Sequence, residues 1–411
     1  MMMKFRSHTR IVLALVILQV ASFAGIAQDK AAQIDALLNA YHRRDEFNGT
    51  ALVAEHGRII LQKGYGLANR EWGIPNTPET KFRLGSITKQ FTAMLVLQLA
   101  AEGRLRLDGT ISDYLPYYRK DTGSRVTLHH LLTHTSGIPS YTNREWMERG
   151  LFRHPHAVKE HVEKFCSGDL EFEPGSTFKY SNSGYFILGA ILEAVSGKTY
   201  EQLLKEKILD PLGMKDTGYD HQETVLLKRA AGYVKTGRGY QNAPFVDMSN
   251  PYAAGALYST VGDLYRWDRA LYTNELLPQQ WRKTYFTPFL NHYGYGWIIL
   301  DLPMGGTRRR VVQHGGRIFG FSSWIQRWVD EEHLIVLLDN TGSGKLGEIS
   351  RRISEILYGL NKEATSTQQF IDEGDVGENG MRWRCSLGEI SPHSSAHSGV
   401  EEGASHVRNP L

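Results

Sequence analysis

Apolar positions recur along this chain with two periods, and the changes from one to the other mark its elements. Ala31, Ile34, Leu37, Leu38 and Tyr41 return every three or four residues, the spacing of a helix with one buried face. Thr50 to Glu55 and Arg58 to Gln62 are short aliphatic runs on either side of His56-Gly57, which predicts a hairpin. The middle reads as helix and loop. One helix is expected from Ser86 through Phe91, Met94, Leu95 and Leu99 to Gly103, and another from about Asn182 through Ile187, Ile191 and Leu192 to Gly197. Thr199 and Gln202 have the spacing of a capping box that opens a third. Strand-like segments return late, at Gly294–Leu300, Arg309–Val312, Ser323–Trp328 and His333–Asp339. A helix with Ile349, Ile353, Ile356 and Leu357 on one face follows over Lys345–Leu360.

Strands at both ends with helices between them predict an α+β fold, an α/β sandwich. One antiparallel sheet forms from N- and C-terminal segments and is flanked by helices, a mostly helical region is inserted, and a cleft opens where the two meet. The folded domain is expected over residues 28–360. From Asn361 the period is lost among Gly, Ser, Glu and His, so 361–411 reads as a disordered tail. No internal repeat is found.

A chain with 41% apolar and 22% charged residues has the balance of a soluble globular protein. Its formal charge is +3, but Lys4, Arg6 and Arg10 supply three positive charges at the extreme N-terminus, and without them the balance is zero. No basic field remains to draw nucleic acid. Those same residues precede an apolar run from Ile11, broken at Gln19 and resumed to Ala24, then Gly25-Ile26-Ala27. This is the layout of a secretory signal over residues 1–27, with an uncleaved anchor as the competing reading. The product is expected to be exported, periplasmic or secreted, with no stable membrane insertion after signal cleavage. Cys166 and Cys385 are the only cysteines. Export would let them pair, yet Cys385 falls in the tail and the fold does not require the bond.

Candidate chemistry begins at Ser86-Ile87-Thr88-Lys89. A Ser and a Lys three apart on a helix share one face, and a neighbouring amine can take a serine's proton. A serine at a helix N-terminus also has a free backbone N–H and the positive dipole end for a developing oxyanion. A second copy of the spacing, Ser176 to Lys179, has no periodic helix behind it. Tyr180-Ser181-Asn182 stands before the second long helix. A phenol needs a nearby cation to act as a base near neutral pH, and Lys89 could supply it. Asn182 offers an amide that both donates and accepts, or it caps the helix. His314-Gly315-Gly316 follows a strand, where glycines admit a close backbone and the imidazole adds a titrating group.

Together these residues resemble the serine β-lactamase-like and penicillin-binding-protein group, in its class C β-lactamase, D-Ala-D-Ala carboxypeptidase and family VIII esterase branch. The resemblance spans roughly Gln28 to Leu360. It is carried in order by Ser86–Lys89, Tyr180–Asn182 and His314–Gly316, with Leu131–Gly137, Glu173-Pro174-Gly175 and Pro211–Met214 around them. It implies that Ser86 is acylated and that Lys89 and Tyr180 share the proton work, either being the base. It further implies that Asn182 holds the substrate amide, and that an oxyanion hole pairs the Ser86 N–H with one after Gly316, at Arg317. It requires no metal and no organic cofactor. The expected partner is a small-molecule or peptide substrate: a β-lactam, a D-Ala-D-Ala-like peptide or a short ester.

One departure matters. Class C β-lactamases carry Lys-Thr-Gly where this chain has His314-Gly315-Gly316, and a neutral histidine binds a carboxylate poorly at pH 7. Arg317 or the run Arg308 to Arg310 would have to replace the lost charge. Hydrolysis of small esters, amides or D-amino-acid peptides is therefore the leading expectation. A β-lactamase, or a penicillin-binding receptor that does not turn over, is the alternative. His129, His130 and His134 include an i, i+4 pair, but no acidic base lies between the pair as zinc peptidases require.

Overall fold

The computed structural model describes residues 29–360, so the expected signal, the tail and Cys385 lie outside it. The turn at His56-Gly57 shows how closely local chemistry sets the frame. Both residues take positive φ, +49° and +72°, as a two-residue turn between twisted strands demands. It joins β1 (Gly49–Glu55) to β2 (Arg58–Tyr65). Residues 29–43 form the preceding helix, α1. Late in the chain come β3 (Ile298–Met304), β4 (Thr307–Ile318), β5 (Phe321–Trp328) and β6 (His333–Asp339). All six strands form one antiparallel sheet in the order β3-β4-β5-β6-β1-β2, with Gly49 opposite Asp339 and Ala54 opposite Leu334. The expected sheet from both ends of the domain is what forms.

Two layers of helices explain why the central strands β1 and β6 are buried at nearly every position. On β1 and β6, Leu52, Ala54, Leu334, Val336 and Leu338 face the inserted helices. Ala51, Val53, Ile335 and Leu337 face the other way, toward Ile34 and Leu38 of α1. The C-terminal helix, Leu346–Leu357, covers that second face with Ile349, Ile353 and Leu357. Each such side chain contributes about 1.5–3 kcal/mol when fully buried. The inserted region centres on α2 (Thr88–Ala101) and α3 (Asn182–Ser196). Both are buried on nearly all sides, the mark of core helices. α3 ends at Gly197, whose φ of +71° closes it as expected, and Thr199 with Gln202 forms the expected capping box.

Several boundaries differ from the sequence reading: β2 runs on to Tyr65, and the strand expected at Gly294–Leu300 forms as β3 at Ile298–Met304. The α-helix starts at Thr88, and Ser86 occupies a 3-10 turn, Gly85–Ile87, that leads into it. β4 does not stop at Val312 but runs on to Ile318 and takes His314, Gly315 and Gly316 into the strand. Glycines depress strand propensity, so pattern alone ends that strand too early. Cys166 is buried and has no disulfide partner among the described residues. No helix among the described residues is long and apolar enough to cross a membrane.

Candidate active site

The turn carrying Ser86 is pinned between two strands. Ser323 Oγ donates to the Leu84 carbonyl at 2.6 Å, and the Leu84 N–H donates to the Leu257 carbonyl at 2.8 Å. Gly85 sits at φ +54°, and a side chain there would meet the Arg317 backbone, 2.7 Å from its nitrogen. A side chain on Gly316 would overlap the Leu84 carbonyl oxygen and stand 3.0 Å from the Ser86 nitrogen. The sequence reading reserved Gly315 and Gly316 for a substrate's backbone, but at Gly316 the backbone that comes close is the chain's own. β3 pairs with β4 only as far as Gln313. On that side His314–Ile318 has no strand neighbour among the described residues.

Lys89, the second residue of α2, is fully buried. Its Nζ donates to Ser86 Oγ at 3.1 Å, to Asn182 Oδ1 at 2.7 Å and to the Ala254 carbonyl at 3.0 Å. The same nitrogen lies 4.8 Å from the centre of the Tyr180 ring. A buried amine is tolerated only with partners of this kind. Asn182 opens α3 without capping it, because Ser181 holds the cap position. Its amide nitrogen donates to Thr142 Oγ1 at 3.0 Å, and its backbone N–H donates to Ser140 Oγ at 3.1 Å. Ser86, Lys89, Tyr180 and Asn182 thus come together from the starts of two core helices.

His314 stands beside them on β4. Burial and the charge of Lys89 push its pKa down to about 4, so the ring is neutral at pH 7. A hydrogen bond of 3.0 Å joins its Nε2 to the Tyr293 hydroxyl. Arg317 is exposed, and its guanidinium lies toward Gly344, before the C-terminal helix. Its backbone, not its side chain, adjoins the Ser86 turn. The three histidines weighed as a metal set have separate engagements. His129 Nδ1 meets the Tyr295 hydroxyl at 2.9 Å, His130 Nδ1 accepts from the Thr127 N–H at 3.3 Å, and His134 Nδ1 accepts from the Ser181 N–H at 3.1 Å. Another group with ligand-capable atoms, Glu55, His56 and His333, sits at the β1–β2 turn. There Lys30 already holds Glu55, and the His56 N–H occupies His333 Nδ1. The second Ser-Lys spacing is exposed and non-helical, with Ser176 bonded to the Glu173 carbonyl and Lys179 to Glu171.

Sequence reasoning missed the Ala254 carbonyl, Ser140, Thr142 and Tyr293. A carbonyl leaves no trace in residue identity. Tyr293 begins the aromatic segment Tyr-Gly-Tyr-Gly-Trp, a run of polar-tipped rings that could have been singled out.

A serine hydroxyl bonded to a buried lysine, with a tyrosine and an asparagine converging from a second helix start, is a set of groups that can serve a serine hydrolase without a histidine triad. The chain belongs to the Beta-lactamase family, whose profile matches residues 34–356. It is 30% identical over 342 residues to penicillin-binding protein 4* of Bacillus subtilis (strain 168), covering 76% of this chain and 72% of that protein. It is also 30% identical over 385 residues to esterase EstB of Burkholderia gladioli, covering 82% of this chain and 97% of the esterase. The octameric penicillin-binding protein homologue from Pyrococcus abyssi superposes with a TM-score of 0.71 at 29% identity, covering 80% of this chain and 78% of the homologue. The family resemblance and the α+β fold read from the sequence both hold.

Proposed function

We propose that this chain is an exported hydrolase that forms an acyl-enzyme on Ser86 and favours small esters and amides with no carboxylate beside the scissile bond. The observation that carries this reading is the position of Lys89 Nζ, within hydrogen-bonding reach of Ser86 Oγ and fixed by Asn182 and the Ala254 carbonyl. Ser86 Oγ attacks the substrate carbonyl carbon while its proton passes to the Lys89–Tyr180 pair. The tetrahedral oxyanion is met by backbone N–H groups of Ser86 and Arg317. Collapse breaks the bond to the leaving group, which takes the proton, and water then releases the acid by the reverse transfer. Two features support the preference for uncharged substrates: His314 is neutral at pH 7, and the Arg317 guanidinium faces away.

The test follows intact mass and turnover for the purified protein with p-nitrophenyl butyrate and with a penicillin, alongside Ser86→Ala. Rapid ester turnover that Ser86→Ala abolishes supports the reading. A penicillin adduct that clears as hydrolysed drug accumulates would instead favour a β-lactamase. An adduct that persists without ester turnover would favour a penicillin-binding receptor. Activity that survives in Ser86→Ala ends the proposed mechanism. Export is checked by N-terminal sequencing of the protein outside the cytoplasm. A start near Gln28 supports it, and an intact Met1 form confined to the cytoplasm contradicts it.

A further inference from the structure

Tyr180 does not lie on a helix or strand, so something else must hold its ring against Lys89. His134 touches it from three directions. The His134 carbonyl accepts the N–H of Lys179, the residue before Tyr180, at 2.9 Å. Its Nδ1 accepts the N–H of Ser181, the residue after, at 3.1 Å. Between these two bonds the imidazole lies on the Tyr180 ring itself, with centroids 4.1 Å apart and planes 34° from parallel. His134 is 1% exposed and takes φ +57°, a left-handed conformation that a residue with a side chain adopts only when its surroundings enforce it. Because Nδ1 accepts, the neutral ring carries its proton on Nε2, which is buried and has no hydrogen-bond partner among the described residues. A phenylalanine would avoid that cost. We infer that His134 is a positioning residue that clamps Tyr180, through the backbone N–H groups of the residues on either side of it and through its ring, in the orientation needed for proton transfer. The inference rests on the role proposed for Tyr180.

The experiment is a double-mutant cycle in p-nitrophenyl butyrate hydrolysis, with the thermal midpoint of each variant measured first. His134→Phe keeps a ring but removes the acceptor, and kcat should fall about 10- to 100-fold with KM nearly unchanged, as a misaligned proton-transfer group predicts. His134→Asn tolerates the left-handed backbone and places Oδ1 where Nδ1 was, so it should recover most of that loss. In a Tyr180→Phe background, His134→Phe should cost less than about twofold further, because the group it positions is gone. If His134→Phe does not fold, His134→Ala takes its place in the cycle. An equal loss in both backgrounds, or a folded His134→Phe enzyme with parental kcat, overturns the inference. A Tyr180→Phe enzyme with parental kcat overturns the proposed role of Tyr180 and the clamp with it. If Tyr180→Phe is impaired and His134→Phe is not, only the clamp fails.

Discussion

At Gly316 a single hydrogen atom separates the strand from the turn that carries Ser86. A methyl group there would press on the Leu84 carbonyl and crowd the Ser86 nitrogen. Gly316→Ala is therefore expected to displace the serine while leaving the sheet intact. Esterase kcat should fall about 100-fold, in line with the effect of an ångström of misplacement, while the far-UV circular dichroism stays at the parental value. Parental kcat in this variant would show that the turn can move without consequence. The residue scale is also where the sequence was most legible. Ser86, Lys89, Tyr180 and Asn182 could be singled out because side-chain chemistry at fixed spacing is printed in the sequence. The Ala254 carbonyl could not, and nor could the clamp at His134, which acts through one carbonyl, one ring nitrogen and one ring face.

Among elements, the joint between the helix Val261–Ala270 and β5 holds a buried ion pair. Asp268 Oδ1 accepts from Arg327 Nε at 2.5 Å, with both residues essentially unexposed, while Asp268 Oδ2 holds Arg269. Arg327 lies otherwise among the rings of Tyr272, Phe286 and Trp297. The two ends of the pair are not equivalent. Asp268→Leu leaves a buried guanidinium without its carboxylate and should cost about 3–5 kcal/mol in urea unfolding. Arg327→Leu leaves Asp268 still paired with Arg269 and should cost clearly less. Equal losses would contradict this account. The elements themselves were legible wherever periodicity was strong, as in β6, α3 and the hairpin. They were misjudged where a local preference opposed the packing. The glycines of β4 hid six residues of strand beyond Val312, and the periodic run behind Ser86 concealed the tight turn that precedes α2.

Across the whole molecule, burial has left several imidazoles uncharged. Desolvation holds His161 and His333 down to about 3 and His314 to about 4, and it keeps His134 well below the usual 6.5. The unfolded chain binds protons below about 6.5 that the folded chain refuses. The stability these groups give is complete above that pH and is lost as pH falls toward 3. Asp263 and Asp339, whose carboxyls burial raises, pull the opposite way but are outnumbered by the four histidines. The thermal midpoint should drop by roughly 10 °C or more between pH 7 and pH 4. His161 packs flat on Phe186 at 4.0 Å with neither ring nitrogen hydrogen-bonded among the described residues. His161→Phe should therefore leave the midpoint at pH 7 intact and flatten the acid slope. An unchanged slope would remove His161 from the explanation.

The sheet order also sets a clock on synthesis. Gly316, against which the Ser86 turn is seated, follows Ser86 by 316 − 86 = 230 positions, and the partner of Gly49 is Asp339, later still. At a translation rate of about 5–20 residues per second, Ser86 waits roughly 10–50 s after it is made before the wall behind it exists. Throughout that interval the first hairpin has an open edge and the serine has no seat, so a nascent chain carries the residues of the enzyme without its reactivity.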